Sequence, residues 1–181
     1  MKTELAKVAA QYAVAVFDLA VDDDAEKAIL DNLKSINAVI ANSRQLEVVL
    51  KHPSVPANEK KEILDELFQG KLNILSRHLL GLLCDRRRLE LLPLIEVEYL
   101  RLWNVRRNIV TGTLTFAEQP DTKMFSEIKA TLSQKLGKTL ELEEREDKSL
   151  IGGYVLKIGD QVIDGSLKGR LQTIEKSLLS V

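Results

Sequence analysis

The chain has 181 residues, enough for one domain or two small ones, and its 45% apolar and 29% charged content excludes a disordered polymer. With aromatics at only 4%, a core has to be built from Leu, Ile, Val and Ala, which favours packed helices over a β-sandwich. Lys+Arg at 26 against Asp+Glu at 27 leaves no global field for nucleic acid or anionic lipid, and the single cysteine, Cys84, excludes an intrachain disulfide and a cysteine-based zinc site.

The opening MKTELAKVAAQYAVAVFDLAVDDD holds an apolar run that Asp18 interrupts before it could span a bilayer. It has neither a small-residue cleavage pattern nor a transit-peptide bias, so it reads as a first helix, and membrane association is expected only through partners. Leu5, Val8, Ala9, Tyr12, Val16 and Leu19 recur at helical spacing. The alanines between them permit close approach of another helix. Asp22, Asp23 and Asp24 end this helix and are expected to cap the next, whose face carries Ile29, Leu33, Ile36 and Ile40.

Ser43 caps a short third helix that stops before Pro53. Pro56 fits the first turn of a fourth helix, with Ile63, Leu64, Leu67 and Phe68 on the buried side and Gly70 as its stop. A fifth helix is predicted from about Asn73 to Cys84. A sixth follows Arg86, with Pro93 near its start and Leu92, Ile95, Tyr99 and Leu102 on one stripe. Short connections imply antiparallel neighbours in a bundle.

Near Ile109 the period changes. Val110, Gly112, Leu114 and Phe116 alternate with threonines in a strand. Glu118 to Asp121 reads as a turn and helix start, followed by the stripe Met124, Ile128, Leu132 and Leu136, ended by Gly137. Leu140 and Leu142 mark a second strand. Tyr154–Ile158 and Gln161–Asp164 form a hairpin across Gly159-Asp160. A last amphipathic helix carries Leu167, Leu171, Ile174 and Leu178. The fold class is mainly α, a helical half followed by a small α/β half.

No catalytic constellation emerges. His52 and His78 are the only histidines, and His78 and Cys84, six positions apart, have a poor helical spacing for a dyad. The glycine-rich tail lacks the phosphate-loop spacing, since Lys168 precedes Gly169, so its glycines are read as turn positions. The aspartate triplet lacks the glycine and glutamate of a calcium loop. Arg86, Arg87 and Arg88 make a short basic run without aromatics to stack bases, and read as a solvated or salt-bridging face.

The tail LELEEREDKSLIGGYVLKIGDQVIDGSLKGRLQTIEKSL, with Asp147, Leu150, Gly152-Gly153, Gly159-Asp160, Val162 to Ser166 and Gly169-Arg170-Leu171, resembles the C-terminal signature of the delta subunits of F-type ATP synthases. Tyr12-Ala13 through Ala20, and Arg88 to Pro93, agree with the family's opening helix and its fifth-to-sixth helix junction. The resemblance implies an N-terminal six-helix bundle at 1–106 and a small α/β stalk-binding domain at 107–181. It implies no catalysis, no cofactor and no metal. The mitochondrial counterpart is the oligomycin-sensitivity-conferring protein.

The implied role is a stator link, resisting rotation so that ion flow couples to ATP synthesis. The implied partners are N-terminal segments of alpha subunits of the catalytic head and the b-type stalk subunits, with neither nucleic acid nor direct membrane insertion. The implied place is the cytoplasmic side of a bacterial plasma membrane, or the stromal or cytoplasmic side of a thylakoid, held there through the complex. Carried onto this chain, the alpha-binding groove falls on Tyr12, Ala15, His78, Leu79 and Leu82, while Gly152, Gly153, Gly159, Asp164, Gly165 and Gly169 carry a structural motif. Gln11 stands where many members have Arg or Pro. The face of Leu167, Leu171, Ile174 and Leu178 is either domain core or stalk contact. The alternative is a stand-alone anion or nucleic-acid binding protein using Lys168, Arg170 and the arginine run.

Overall fold

The computed structural model describes residues 2–117, 122–159, 161–169 and 171. It is mostly helical with a small C-terminal four-stranded sheet, and it divides into two compact units, Met1–Trp103 and Asn104–Val181.

The first unit holds α1 (Lys2–Asp22), α2 (Glu26–Asn42), α3 (Arg44–Lys51), α4 (Ala57–Leu67), α5 (Ile74–Asp85), a 3-10 turn (Leu89–Leu91) and all but the last turn of α6 (Leu92–Arg106). The stripe expected to anchor α1 is only partly the one it buries. Ala9, Ala13 and Ala20 are fully buried and Phe17 nearly so, whereas Leu5 and Leu19 stay 37% and 52% exposed. The apolar arc of this helix is wider than its neighbours can cover, and the alanine side lets α2 and α5 come closest. Phe17 meets Tyr99 of α6 edge-on with ring centroids 5.2 Å apart. The Tyr99 hydroxyl donates to the Glu26 carbonyl at 3.1 Å, and burial pushes its pKa far above the ordinary tyrosine value.

Several local expectations are corrected. The aspartates do not cap α2, because Ala25 takes the N-cap position without a side-chain bond. Instead Asp24 adopts φ +50, and the bonds Ala25 N to Ala20 O (2.8 Å) and Asp24 N to Val21 O (3.3 Å) close α1 in a Schellman turn. Pro56 sits at the N-cap of α4 rather than inside its first turn. Leu67 is 43% exposed, since the inner row of α4 runs through Lys60, Leu64 and Phe68. The Lys60 Nζ donates to the His52 carbonyl at 2.9 Å, satisfying a group just beyond the end of α3. On α6, Trp103 joins the buried row four residues after Tyr99, and Leu102 is only partly buried. Ser43 caps α3 as expected, accepting from Leu46 N at 3.3 Å. Gly70, with φ +70, lies three residues beyond the last residue of α4.

The second unit contains β1 (Ile109–Phe116), α7 (Thr122–Leu136), β2 (Thr139–Glu146), β3 (Tyr154–Ile158) and β4 (Gln161–Asp164). Strand order is β2-β1-β3-β4. β1 and β2 pair in parallel, with α7 as the crossover, and β3 runs antiparallel to both β1 and β4. Leu114, Phe116, Leu140 and Leu156 form the buried face of the sheet under Leu132. Met124 is 54% exposed; Phe125 takes its expected place, packing toward Phe116 at 6.3 Å between ring centroids. The predicted turn at Glu118–Asp121, and Asp160, Arg170, Ile174 and Leu178, lie outside the described residues.

Candidate functional site

Two groups of sequence-marked residues can be followed into three dimensions. The first is on α1 and α5. Tyr12 packs at the edge of the core, Ala15 is exposed, and Leu5 and Leu19 extend the same side of α1. On α5, Ile74 (63% exposed), His78 and Leu82 (43% exposed) recur every four residues on the outer side. Leu79 differs from the other expected groove residues, because it is buried in the core at 3% exposure.

Which side of α5 carries this row follows from α4. Asp65 pairs with Arg77 at 3.1 Å, and Lys61, Leu64 and Phe68 line one small cavity with Leu80, Gly81 and Cys84, so α4 covers the side of α5 that bears Arg77, Gly81 and Cys84. His78 and Leu82 are turned roughly 100° or more from Arg77 around the helix, away from α4, and α1 packs on α5 as well. At the junction after α5, an Arg88 Nη1 donates to the Tyr12 hydroxyl at 3.4 Å. Leu5, Leu19 and Ile74 were not singled out as surface residues from the sequence. Their helical spacing is the available signal, and it reads equally well as core.

The second group is the glycine-rich tail, and here the structure shows a local lock. Gly153 has φ +82, and a Cβ there would lie 2.4 Å from the Gly165 carbonyl oxygen. A Cβ on Gly169 would lie 2.5 Å from the Asp164 carboxylate. That carboxylate accepts from Ser166 N at 2.8 Å, and the buried Ser166 hydroxyl accepts from Gly169 N at 3.0 Å, capping the helical turn at 167–169. Gly165 N and Leu167 N bond back to the Tyr154 and Gly152 carbonyls at 2.9 and 3.0 Å, tying the helix start to the β3 edge of the hairpin. Hydrogen bonds from the Ser166 hydroxyl and backbone hold the Asp164 carboxyl below the usual aspartate range. Gly159, φ +54, occupies the hairpin turn.

The residues with catalytic potential are kept apart. Cys84 is 1% exposed and burial pushes its thiol pKa up, while His78 faces outward on the same helix. The His52 Nδ1 accepts from Ser54 N at 3.2 Å. Among the described residues no group of three or more His, Cys, Asp or Glu side chains could hold a metal ion, and no helix is long and apolar enough to cross a membrane. The polar face of the sheet carries an open cleft of about 900 Å³ lined by Thr111, Thr113, Thr115, Glu143, Arg145 and Lys157 among others.

Comparison with known proteins gives these features a family. A family model described as ATP synthase delta (OSCP) subunit matches residues 8–178. The chain is 39% identical over 173 residues to an ATP synthase subunit delta of Desulforamulus reducens, covering 96% of both. It is 30% identical over 172 residues to a sodium-ion-specific ATP synthase subunit delta of Propionigenium modestum, covering 95% of this chain and 98% of the relative. A chain of the Toxoplasma gondii mitochondrial ATP synthase hexamer superposes with a TM-score of 0.62 at 22% identity, over 94% of this chain and 97% of the other. A chain of the Polytomella F-ATP synthase superposes over 54% of this chain and 87% of the other, at a TM-score of 0.51 and 19% identity. At such identities the structural likeness speaks for the fold alone, whereas the family model and the sequence relatives speak for descent. The chain therefore belongs to the ATP synthase delta (OSCP) subunit family, whose delta subunit is a non-catalytic structural subunit.

Proposed function

We propose that this protein is the peripheral-stalk link of a rotary ATP synthase, holding the catalytic head against rotation so that ion flow is coupled to ATP synthesis. The observation that carries this reading is the pair of exposed apolar rows on α1 and α5, Leu5–Tyr12–Leu19 and Ile74–His78–Leu82. We read α1 to α6, within 1–106, as a six-helix bundle in which these rows form one groove for an amphipathic helix. Such a groove takes anchors at every third or fourth position of its guest. The guest is the N-terminal segment of an alpha subunit.

We read 107–181 as the stalk-binding part. Its uncovered polar sheet face and the exposed side chains of Ile151, Leu167 and Leu171 offer a surface to the b-type stalk helices. Attachment to the membrane is through the complex, on the cytoplasmic side of a bacterial plasma membrane or its thylakoid equivalent.

Calorimetric titration of the full chain with a synthetic alpha N-terminal segment tests the first half of this reading. Saturable one-to-one binding is expected. Tyr12→Ala should weaken it by about 2 kcal/mol, the loss typical of a desolvated aromatic anchor. An unchanged affinity in a folded variant removes Tyr12 from the groove, and absence of binding by the folded wild type removes the groove itself.

A further inference from the structure

The apolar rows explain affinity for a helix, but they do not select which helix or fix its register. Two polar side chains interrupt them, His78 on α5 and Tyr12 on α1. Tyr12, midway along its row, is the residue that Arg88 reaches from the turn after α5. The donor in this contact is the guanidinium, so the phenol oxygen is the acceptor and its own proton remains available to donate.

Arg88 is exposed, and the 3.4 Å contact to Tyr12 engages one of its five donors weakly. Asp85, at the end of α5, is paired with Lys61, and among the described residues no carboxylate pairs with Arg88. A guanidinium held by a neutral phenol beside an apolar surface has its preferred partner, a carboxylate, still to come.

The backbone sets this position firmly. Arg87 adopts φ +54, and the bonds Arg88 N to Leu83 O (2.8 Å) and Arg87 N to Cys84 O (3.0 Å) close α5 in a Schellman turn. Leu89 and Leu91, immediately after it, are buried at 9% and 1% exposure. Arg88 therefore leaves the fold from a pinned stretch of chain rather than from a loose loop.

We propose that Arg88 and the Tyr12 hydroxyl form a carboxylate clamp that reads one acidic side chain of the docked helix and so sets its register in the groove. This rests on the groove reading above. The partner chemistry is an amphipathic helix whose apolar stripe is broken, at the level of Tyr12, by a single Asp or Glu. The guanidinium supplies a charge-assisted pair of bonds and the phenol a third donor to the same carboxylate. Such a pair contributes specificity and register more than bulk affinity.

The test is a set of coupled substitutions read by calorimetry on the full chain. Each Asp or Glu of the alpha N-terminal peptide is changed in turn to Asn or Gln, against wild type, Arg88→Gln and Tyr12→Phe. One peptide position should lose about tenfold in affinity against wild type and almost nothing against Arg88→Gln. Tyr12→Phe keeps the ring and should lose a smaller factor at that same position. Arg88→Lys should recover only part of the loss, because an ammonium cannot present the two parallel donors of a guanidinium. Circular dichroism confirms that each variant folds. If the wild type binds the peptide and no acidic position couples to Arg88, the clamp is overturned while the groove stands. If the folded wild type does not bind at all, the groove reading fails first and the clamp with it.

Discussion

The two units treat their most recognisable residues in opposite ways. In the helical unit, the marked residues Tyr12, Ala15, His78 and Leu82 are what packing leaves over, at the edge of a core that Ala9, Ala13, Leu33, Ile95 and Tyr99 close without them. In the sheet unit, the marked residues are used up by the fold. Gly153 and Gly169 make room for Gly165 and Asp164, and Ser166 is buried as a cap. The motif that identifies the family is thus an internal lock, while the proposed binding surface is a less distinctive pair of apolar rows. A signature can be strong because geometry tolerates no alternative, without any ligand touching it.

Substitutions can break this contrast from either side. The largest effect is expected at Gly153→Val. A branched side chain there adds left-handed backbone strain and a clash with the Gly165 carbonyl, a loss of about 4 kcal/mol that should unfold the sheet unit. Amide hydrogen exchange should show lost protection in β3 and β4, while the fluorescence of Trp103, in the helical unit, keeps its transition. Unchanged protection of the hairpin would show that the lock is dispensable.

Next is a pair of adjacent leucines on α5. Leu83 is fully buried and Leu82 is 43% exposed. Leu83→Ala should cost about 3 kcal/mol in denaturant unfolding followed by Trp103, through lost burial and the cavity left behind. Leu82→Asp should shift the same transition by less than about 0.5 kcal/mol, yet abolish the alpha-peptide titration. Equal destabilisation by both would mean that the exposed row is part of the core.

A smaller loss, about 1 kcal/mol, is expected for Ser166→Ala, which removes the hydroxyl that accepts from Gly169 N. Urea unfolding monitored by exchange in the sheet unit reads it. Asp164 provides the subtlest test. Its pKa is depressed in the fold, so its contribution is fully present above the unfolded value, about 3.9, and is lost as pH falls through the lower folded value. Asp164→Asn should flatten that acid limb by lowering stability at and above about pH 4, and leave stability at the acid end, below the folded pKa, almost unchanged. An identical acid limb in the variant would assign the limb to other carboxylates, with Asp147, also depressed by Ser149, next in line.

Much of the local structure was legible in the residues. The strand Ile109–Phe116 and the hairpin strands Tyr154–Ile158 and Gln161–Asp164 match the expected bounds, because β-branched alternation and a glycine turn leave few other conformations. Ser43 and Asn73 mark helix starts through caps that the structure contains. The misjudged burials share one cause. Leu67 falls on the expected buried side of α4, and Leu5, Leu19 and Met124 fall on apolar stripes at helical spacing, yet each is exposed. Periodicity finds an apolar side but not its edges, and the burial of Phe17 and Lys60 and the partial burial of Phe125 follow from how closely each helix approaches its neighbours.

The sequence by itself determined the order of helices and strands, the change of period near Ile109 and the family, since these depend on local conformational preference and on a motif with little steric freedom. Only the tertiary structure decided which part of an over-wide apolar arc is core and which is surface. That outcome depends on which side α2, α4 and α5 cover, and on a contact such as Arg88 to Tyr12, which joins positions 76 residues apart.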